Sequence, residues 1–168
     1  MKELNAIESK SSASGAAERL ALVKWQQAFT FDKSVTPSRV FSLVAPKVPI
    51  AFVRVRELFP DEVNSVSYNS LRNIVEPITE WINSPTATTP TYNIVDDYEV
   101  VQKSARGVRT IYNFTTKGIS QTIDQTALVS SDRHKIYVFV VRCTTTCYNK
   151  HIKIISRIAD SFTVRGNR

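Results

Sequence analysis

Glycine, cysteine, histidine and methionine are all scarce in this 168-residue chain, which holds four glycines, two cysteines, two histidines and one methionine. So few glycines make a loop whose backbone cradles phosphate hard to build. No glycine-rich phosphate motif, nucleophile elbow or metal-ligand cluster is legible. Two cysteines do not form a zinc site alone, and His134 and His151 are not spaced like a zinc-finger pair. No apolar run approaches the roughly 20 residues that span a bilayer. Residues 1–17 lack a signal-peptide core, and Glu3, Glu8 and Glu18 are out of keeping with an acid-poor transit peptide. The sequence thus carries no catalytic signature from which a function could be read.

What is present is one domain's length of chain with 42% hydrophobic residues, enough to bury a core. The formal net charge is +7. A basic balance suits nucleic acid, anionic lipid or an acidic protein face, and does not choose among them. The cations fall into two sets. Arg133, Lys135, Arg142, Lys150, Lys153, Arg157, Arg165 and Arg168 lie in the C-terminal third; Lys47, Arg54 and Arg56 lie in the middle. Lys150, Lys153 and Arg157 recur at helical spacing and form one basic face.

The fold is most legible between Gly107 and Arg165. Val108, Thr110, Tyr112 and Phe114 alternate with Arg109, Ile111 and Asn113, the period of a half-buried strand. Ile119 to Val129 continues in β-favouring residues, and Ser130 to His134 is a polar turn. Ile136 to Val141 contains no polar residue, as expected of a central strand covered on both faces. After Thr144–Thr146 the period changes. Tyr148, Ile152, Ile155, Ile158, Ala159 and Phe162 predict one face of a closing helix.

Upstream, Met1 to Gly15 has no apolar periodicity, and residues 1–17 read as a mobile tail before a single domain over 18–168. Ala16 to Phe29 suits a short amphipathic helix; alternatively, Leu20 to Phe31 is partly a strand. Trp25 reads as a packing residue. Arg39 to Val44 suits a short strand between prolines, and Ile50 to Arg56 is a clearer one. Ser67 to Asn83 has helical spacing through Leu71, Ile74, Val75, Ile78 and Ile82, with Ser67 or Ser70 as cap. Pro77 must kink it or split it in two. Asn93 to Lys103 is a strand, and Ser104 to Gly107 a hairpin turn in which Gly107 supplies a positive φ. Together these predict an α+β fold, an antiparallel sheet flanked by helices in an α-β-α sandwich.

Few residues are candidates for chemistry. Asp96 and Asp97 are adjacent carboxylates, but neighbours in a strand point to opposite faces unless a bulge intervenes. Asp124, Asp132 and His134 could meet around a turn, as a surface constellation. Cys143 and Cys147 lie four apart. They are either two small residues at a strand end and a helix start, or a disulfide if the linker turns tightly. The aromatics Tyr112, Phe114, Tyr137, Phe139 and Phe162 sit in core-like patterns, so a nucleic-acid role is weaker than a protein-docking one.

Tyr98 to Gly107 followed by Val108 to Phe114 resembles the meander of PsbP-like proteins. Ile136 to Val141 resembles that family's last strand. Lys150 to Val164 resembles its closing helix, with an Asp-Ser-Phe-x-Val ending at Asp160–Val164. Ile50 to Arg56, and the helix bearing Leu71 and Val75, stand where the family has its preceding elements. The likeness covers roughly residues 50–165. It implies a non-enzymatic extrinsic protein on the lumenal side of a chloroplast or cyanobacterial thylakoid. Such a protein docks as a monomer on photosystem II subunits and supports the oxygen-evolving complex or photosystem assembly. Arg54, Arg56, Lys150, Lys153 and Arg157 are then docking candidates on charge grounds. Weak calcium or manganese binding is also implied, with Asp96 and Asp97 the place to look. The competing reading is a basic α+β module for RNA or another polyanion.

Overall fold

A computed structural model describes residues 2–10, 15–30, 32–33, 36–42 and 44–166. Its frame is a six-stranded antiparallel sheet in the order β1-β2-β6-β5-β4-β3. The strands are β1 (Val23–Thr30), β2 (Ile50–Glu57), β3 (Tyr92–Val101), β4 (Ala105–Thr116), β5 (Ile119–Ser130) and β6 (Lys135–Thr144). The last four form a meander, and β6 then pairs with β2, so the final strand becomes central. That position accounts for its uninterrupted apolar run. Ile136, Val138 and Val140 enter one core, while Phe139 and Val141 enter the other.

Helices cover both faces, and the predicted α+β sandwich is the observed architecture. On the first face lie α1 (Lys2–Glu8), α2 (Ala16–Ala21), a 3-10 turn at Pro37–Phe41, and the short helices α3 (Glu62–Ser65), α4 (Tyr68–Arg72) and α5 (Ile78–Asn83). Leu71, Ile78 and Trp81 from these helices pack on Tyr112, Phe114 and Ile123 of the sheet. Ser67 caps α4 in a reciprocal capping box with Ser70. Pro77 stands at the start of α5, so the expected conflict is resolved by two helices rather than a kink. On the second face α6 (Thr145–Asp160) lies across β5 and β6, capped by Thr144.

Several expectations are corrected. The segment read as a mobile tail contains α1, whose Leu4 is buried with Val40 and Ile50 and whose Glu8 pairs with Arg54. Leu4 and two polar anchors, Asn5 bonded to Gln26 and Glu8 paired with Arg54, hold it, too sparse a pattern to show periodicity. Residues 16–30 are both things proposed for them, a helix to Ala21 and a strand from Val23. The segment read as a strand from Arg39 is a 3-10 turn through Phe41. Gly107 is not in the hairpin turn, which lies at Gln102–Ser104; it is inside β4, where a Cβ would meet the carbonyl oxygen of Ala127 at 2.0 Å. Its role is close approach of backbone to backbone, not a positive φ.

Candidate functional site

On α6 the apolar stripe is wider than the surface it covers. Tyr148, Ile155 and Ala159 are buried, whereas Ile152 is 44% exposed and Ile158 38%. Ile154 is exposed as well. The reason is geometric: α6 rests on β5 and β6, and among the described residues no helix lies over the same face of β1 and β2. Trp25 and Phe29 of β1 are therefore 40% and 46% exposed, so Trp25 is not a core packing residue. Between α6 and these strands runs a groove of about 310 Å3, lined by Phe29, Pro49, Ala51, Phe139, Ile155 and Ile158 among others. Outside it stand Lys150, Lys153 and Arg157, all exposed and none in an ion pair with the described residues. An apolar groove beside a stripe of unneutralised cations suits an acidic surface with an apolar centre.

What holds α6 in this position is a buried polar network. Asp124 on β5 is fully buried and accepts from Arg109 Nε and Nη2 on β4, both at 2.8 Å. The Tyr148 hydroxyl, in the first turns of α6, donates to Asp124 Oδ2 at 2.8 Å. At the other end of the helix, Asp160 Oδ1 accepts from Arg109 Nη1 at 2.6 Å, and Tyr98 Oη accepts from the same nitrogen at 3.0 Å. Burial, the Asp124 charge and its hydrogen bond all raise the Tyr148 hydroxyl above its ordinary range, so it stays a proton donor. The Arg109 guanidinium, despite its burial, is held protonated by Asp124. This is a structural clamp between helix and sheet. Asp124 is thereby removed from Asp132 and His134, which the structure does not bring to it. Asp132 instead accepts from Ser130 Oγ and the His134 backbone N–H within the β5–β6 turn.

Cys143 at the end of β6 and Cys147 in the first turn of α6 are joined as a disulfide, with a Cα–Cα distance of 5.9 Å. Both are buried, so the bridge ties the strand end to the helix start. Of the two readings of this pair, the turn into α6 is tight enough for the bonded one.

Arg54 and Arg56 lie on the opposite face of the sheet from Lys150, Lys153 and Arg157, so the five docking candidates form two separate groups. Arg54 is bound by Glu8 and Gln26, and stacks over the Phe52 ring at 5.0 Å. Arg56 makes a forked pair with Glu62 at 2.6 and 2.8 Å. Both help line a cleft of about 480 Å3 that also contains Arg142 and Glu76, neither of which the sequence pattern singled out for that place. Asp96 and Asp97 follow directly on a register shift in β3 between Ile94 and Asp96. Asp97 is engaged by Arg72 at 2.8 Å and by Thr110 Oγ1 at 2.8 Å. Among the described residues no three His, Cys, Asp or Glu side chains are grouped so as to hold a metal ion. Among the described residues, too, no helix is long and apolar enough to cross a membrane.

No protein-family model and no curated protein sequence matches the chain. Solved structures do. A protein of unknown function from Pseudomonas aeruginosa superposes with a TM-score of 0.57 at 8% identity, covering 85% of each chain. LpqN of Mycobacterium tuberculosis, involved in cell envelope biogenesis, gives 0.45 at 10% identity over 79% of this chain and 65% of its own. The cyanobacterial PsbP of Synechocystis gives 0.44 at 9% identity over 83% and 82%. At these identities the first match describes a shared fold and nothing finer, and the other two are too distant to argue from. The PsbP-like resemblance rests on the motifs between Tyr98 and Val164.

Proposed function

We propose that this chain is a non-enzymatic docking protein that seats the α6 side of its sheet on an acidic partner surface. The observation that carries the reading is the coincidence of three cations without an ion-pair partner among the described residues, Lys150, Lys153 and Arg157, with an apolar groove and exposed Phe29, Ile154 and Ile158. Apolar area in the centre and charge at the rim is the anatomy of a protein–protein interface, where the charges set orientation and on-rate. Arg54 and Arg56 are left out of this interface because Glu8 and Glu62 already neutralise them.

The finer reading, drawn from the PsbP-like motifs, makes that partner the extrinsic side of photosystem II, with the protein supporting oxygen evolution or photosystem assembly. The test is fractionation of the source organism with an antibody to this chain. Recovery with thylakoids, release by a salt wash and co-migration with photosystem II are expected. Recovery in a ribosomal or nuclear fraction, lost on nuclease treatment, would replace this reading with polyanion binding, whose affinity falls steeply with salt.

A further inference from the structure

Strand register fixes which side chains form the open part of the sheet face beside α6. Trp25, Gln27 and Phe29 of β1 pair with Val55, Val53 and Ala51 of β2, which pair in turn with Tyr137, Phe139 and Val141 of β6. Phe139 and Val141 belong to the core beneath α6, so all three rows point to that side. Exposure rises step by step away from the helix. Phe139 and Val141 are buried, Val53 and Val55 are half-buried, and Trp25 and Phe29 are exposed. The result is a mainly apolar shelf, with Ile155 and Ile158 of α6 forming the wall of its groove.

The dimensions of the shelf describe what fits it. Strands are about 4.8 Å apart, so a helix over β1 and β2 stands two spacings, about 10 Å, from α6, the separation at which helices pack. Trp25 to Phe29 runs about 13 Å along the strand, the rise of about nine helical residues. A floor of apolar side chains offers few partners to a peptide backbone. A helix bonds its own backbone groups, whereas an extended segment laid there leaves many of them unmade.

Charge sets the chemistry of the occupant. Ile154 of α6 opens on the hollow next to the groove, beside Pro49. Lys150 and Arg157 stand four residues before it and three after, so they border the shelf, with Lys153 beside them. None of the three has an ion-pair partner among the described residues. We propose that β1 and β2 seat an amphipathic α-helix of a partner chain, its apolar stripe on Trp25, Val53 and Phe29 and its carboxylates along the edge nearest Lys150 and Arg157. The proposal rests on the docking reading and narrows its acidic partner surface to a single helix. That helix lies beside α6 as a second member of the same layer, and the two aromatic rings leave water.

The test uses peptides of about 18 residues, long enough to hold a helix, with leucines at helical spacing and no tryptophan. One carries glutamates along one flank, and a second carries lysines at the same places. A third keeps the composition of the first in an order that disperses its leucines. Each is titrated into the full chain by calorimetry and by tryptophan fluorescence, in which Trp25 reports because Trp81 is already buried. The glutamate peptide is expected to bind one per chain and shift the Trp25 emission to the blue. The lysine peptide is expected to bind at least about tenfold more weakly, since its charges meet Lys150 and Arg157. The dispersed peptide is expected to leave Trp25 in water. Phe29→Gln, at an exposed position, is expected to weaken the glutamate peptide at least about tenfold, as loss of an aromatic anchor does. Equal affinity for the glutamate and lysine peptides, no binding below about 1 mM, an unmoved Trp25 emission, or an unaffected Phe29→Gln variant would overturn the proposal. Binding to photosystem II membranes decides the docking reading separately. Membranes bound through the α6 cations as tightly by Phe29→Gln as by the unaltered chain would sink the helix and leave docking standing.

Discussion

Replacing Asp124 by alanine removes the centre of the clamp between α6 and the sheet. The Arg109 guanidinium is only 4% exposed, and two of its three charge-assisted contacts to carboxylates go to Asp124. Its remaining anion, Asp160, has a side chain 66% exposed, where water screens it and its pull is weak. The variant therefore leaves a nearly uncompensated buried charge and an unbonded Tyr148 hydroxyl. Losing one partner of such a pair costs about 3–5 kcal/mol. Urea unfolding followed by tryptophan fluorescence reads this directly; with a slope of about 2 kcal/mol per molar, the midpoint falls by roughly 2 M. The double variant Arg109→Met with Asp124→Leu removes both charges together and recovers most of the loss, because an apolar pair needs no desolvation. A cost for Asp124→Ala below about 1 kcal/mol, or a double variant as unstable as the sum of the singles, would refute the assignment of this network as the helix clamp.

Three further outcomes are expected. The Arg56 fork holds the Glu62 carboxyl below its usual range, so this pair stabilises the fold above the unfolded-state value and the contribution is lost as pH falls through the lower folded-state value. Arg56→Met should flatten the acid limb of the stability profile, measured by thermal melts across pH 3 to pH 7. Reduction of the Cys143–Cys147 bridge releases only a very short loop, and should cost only about 2 kcal/mol in urea midpoint comparisons of oxidised and reduced protein. Gly107→Ala forces a Cβ onto the Ala127 carbonyl and should destabilise by about 3 kcal/mol, seen as a lower melting temperature.

Strands were legible in the sequence wherever one chain segment carried its own pattern. Val108–Phe114 alternates because a single sheet face takes Tyr112 and Phe114, and Ile136–Val141 is apolar throughout because two cores take it. The pairing of β6 with β2 was not legible, since antiparallel pairing over such a separation leaves no local mark. Nor was α1, held by the long-range contacts of Leu4 and Glu8. For the docking surface, the cations at 150, 153 and 157 could be read from helical spacing. Their apolar neighbours could not: helical spacing puts Ile158 on the core face because periodicity reports that a residue is apolar, not whether a sheet extends beneath it. The reverse holds for Arg54 and Arg56, which look like free cations in the sequence and are neutralised by residues 46 and 6 positions away.

The docking account stands or falls on which cations meet the partner. Lys150→Glu, Lys153→Glu and Arg157→Glu in one chain can be compared with Lys47→Glu, Arg106→Glu and Lys117→Glu, an equal change of charge at exposed positions off α6. The measurement is binding of each to salt-washed photosystem II membranes, with excess RNA present. The account predicts that the α6 variant loses binding while the control retains it, and that RNA does not compete. Equal loss in both variants, or displacement by RNA, would contradict it and leave net charge as the only basis of attraction.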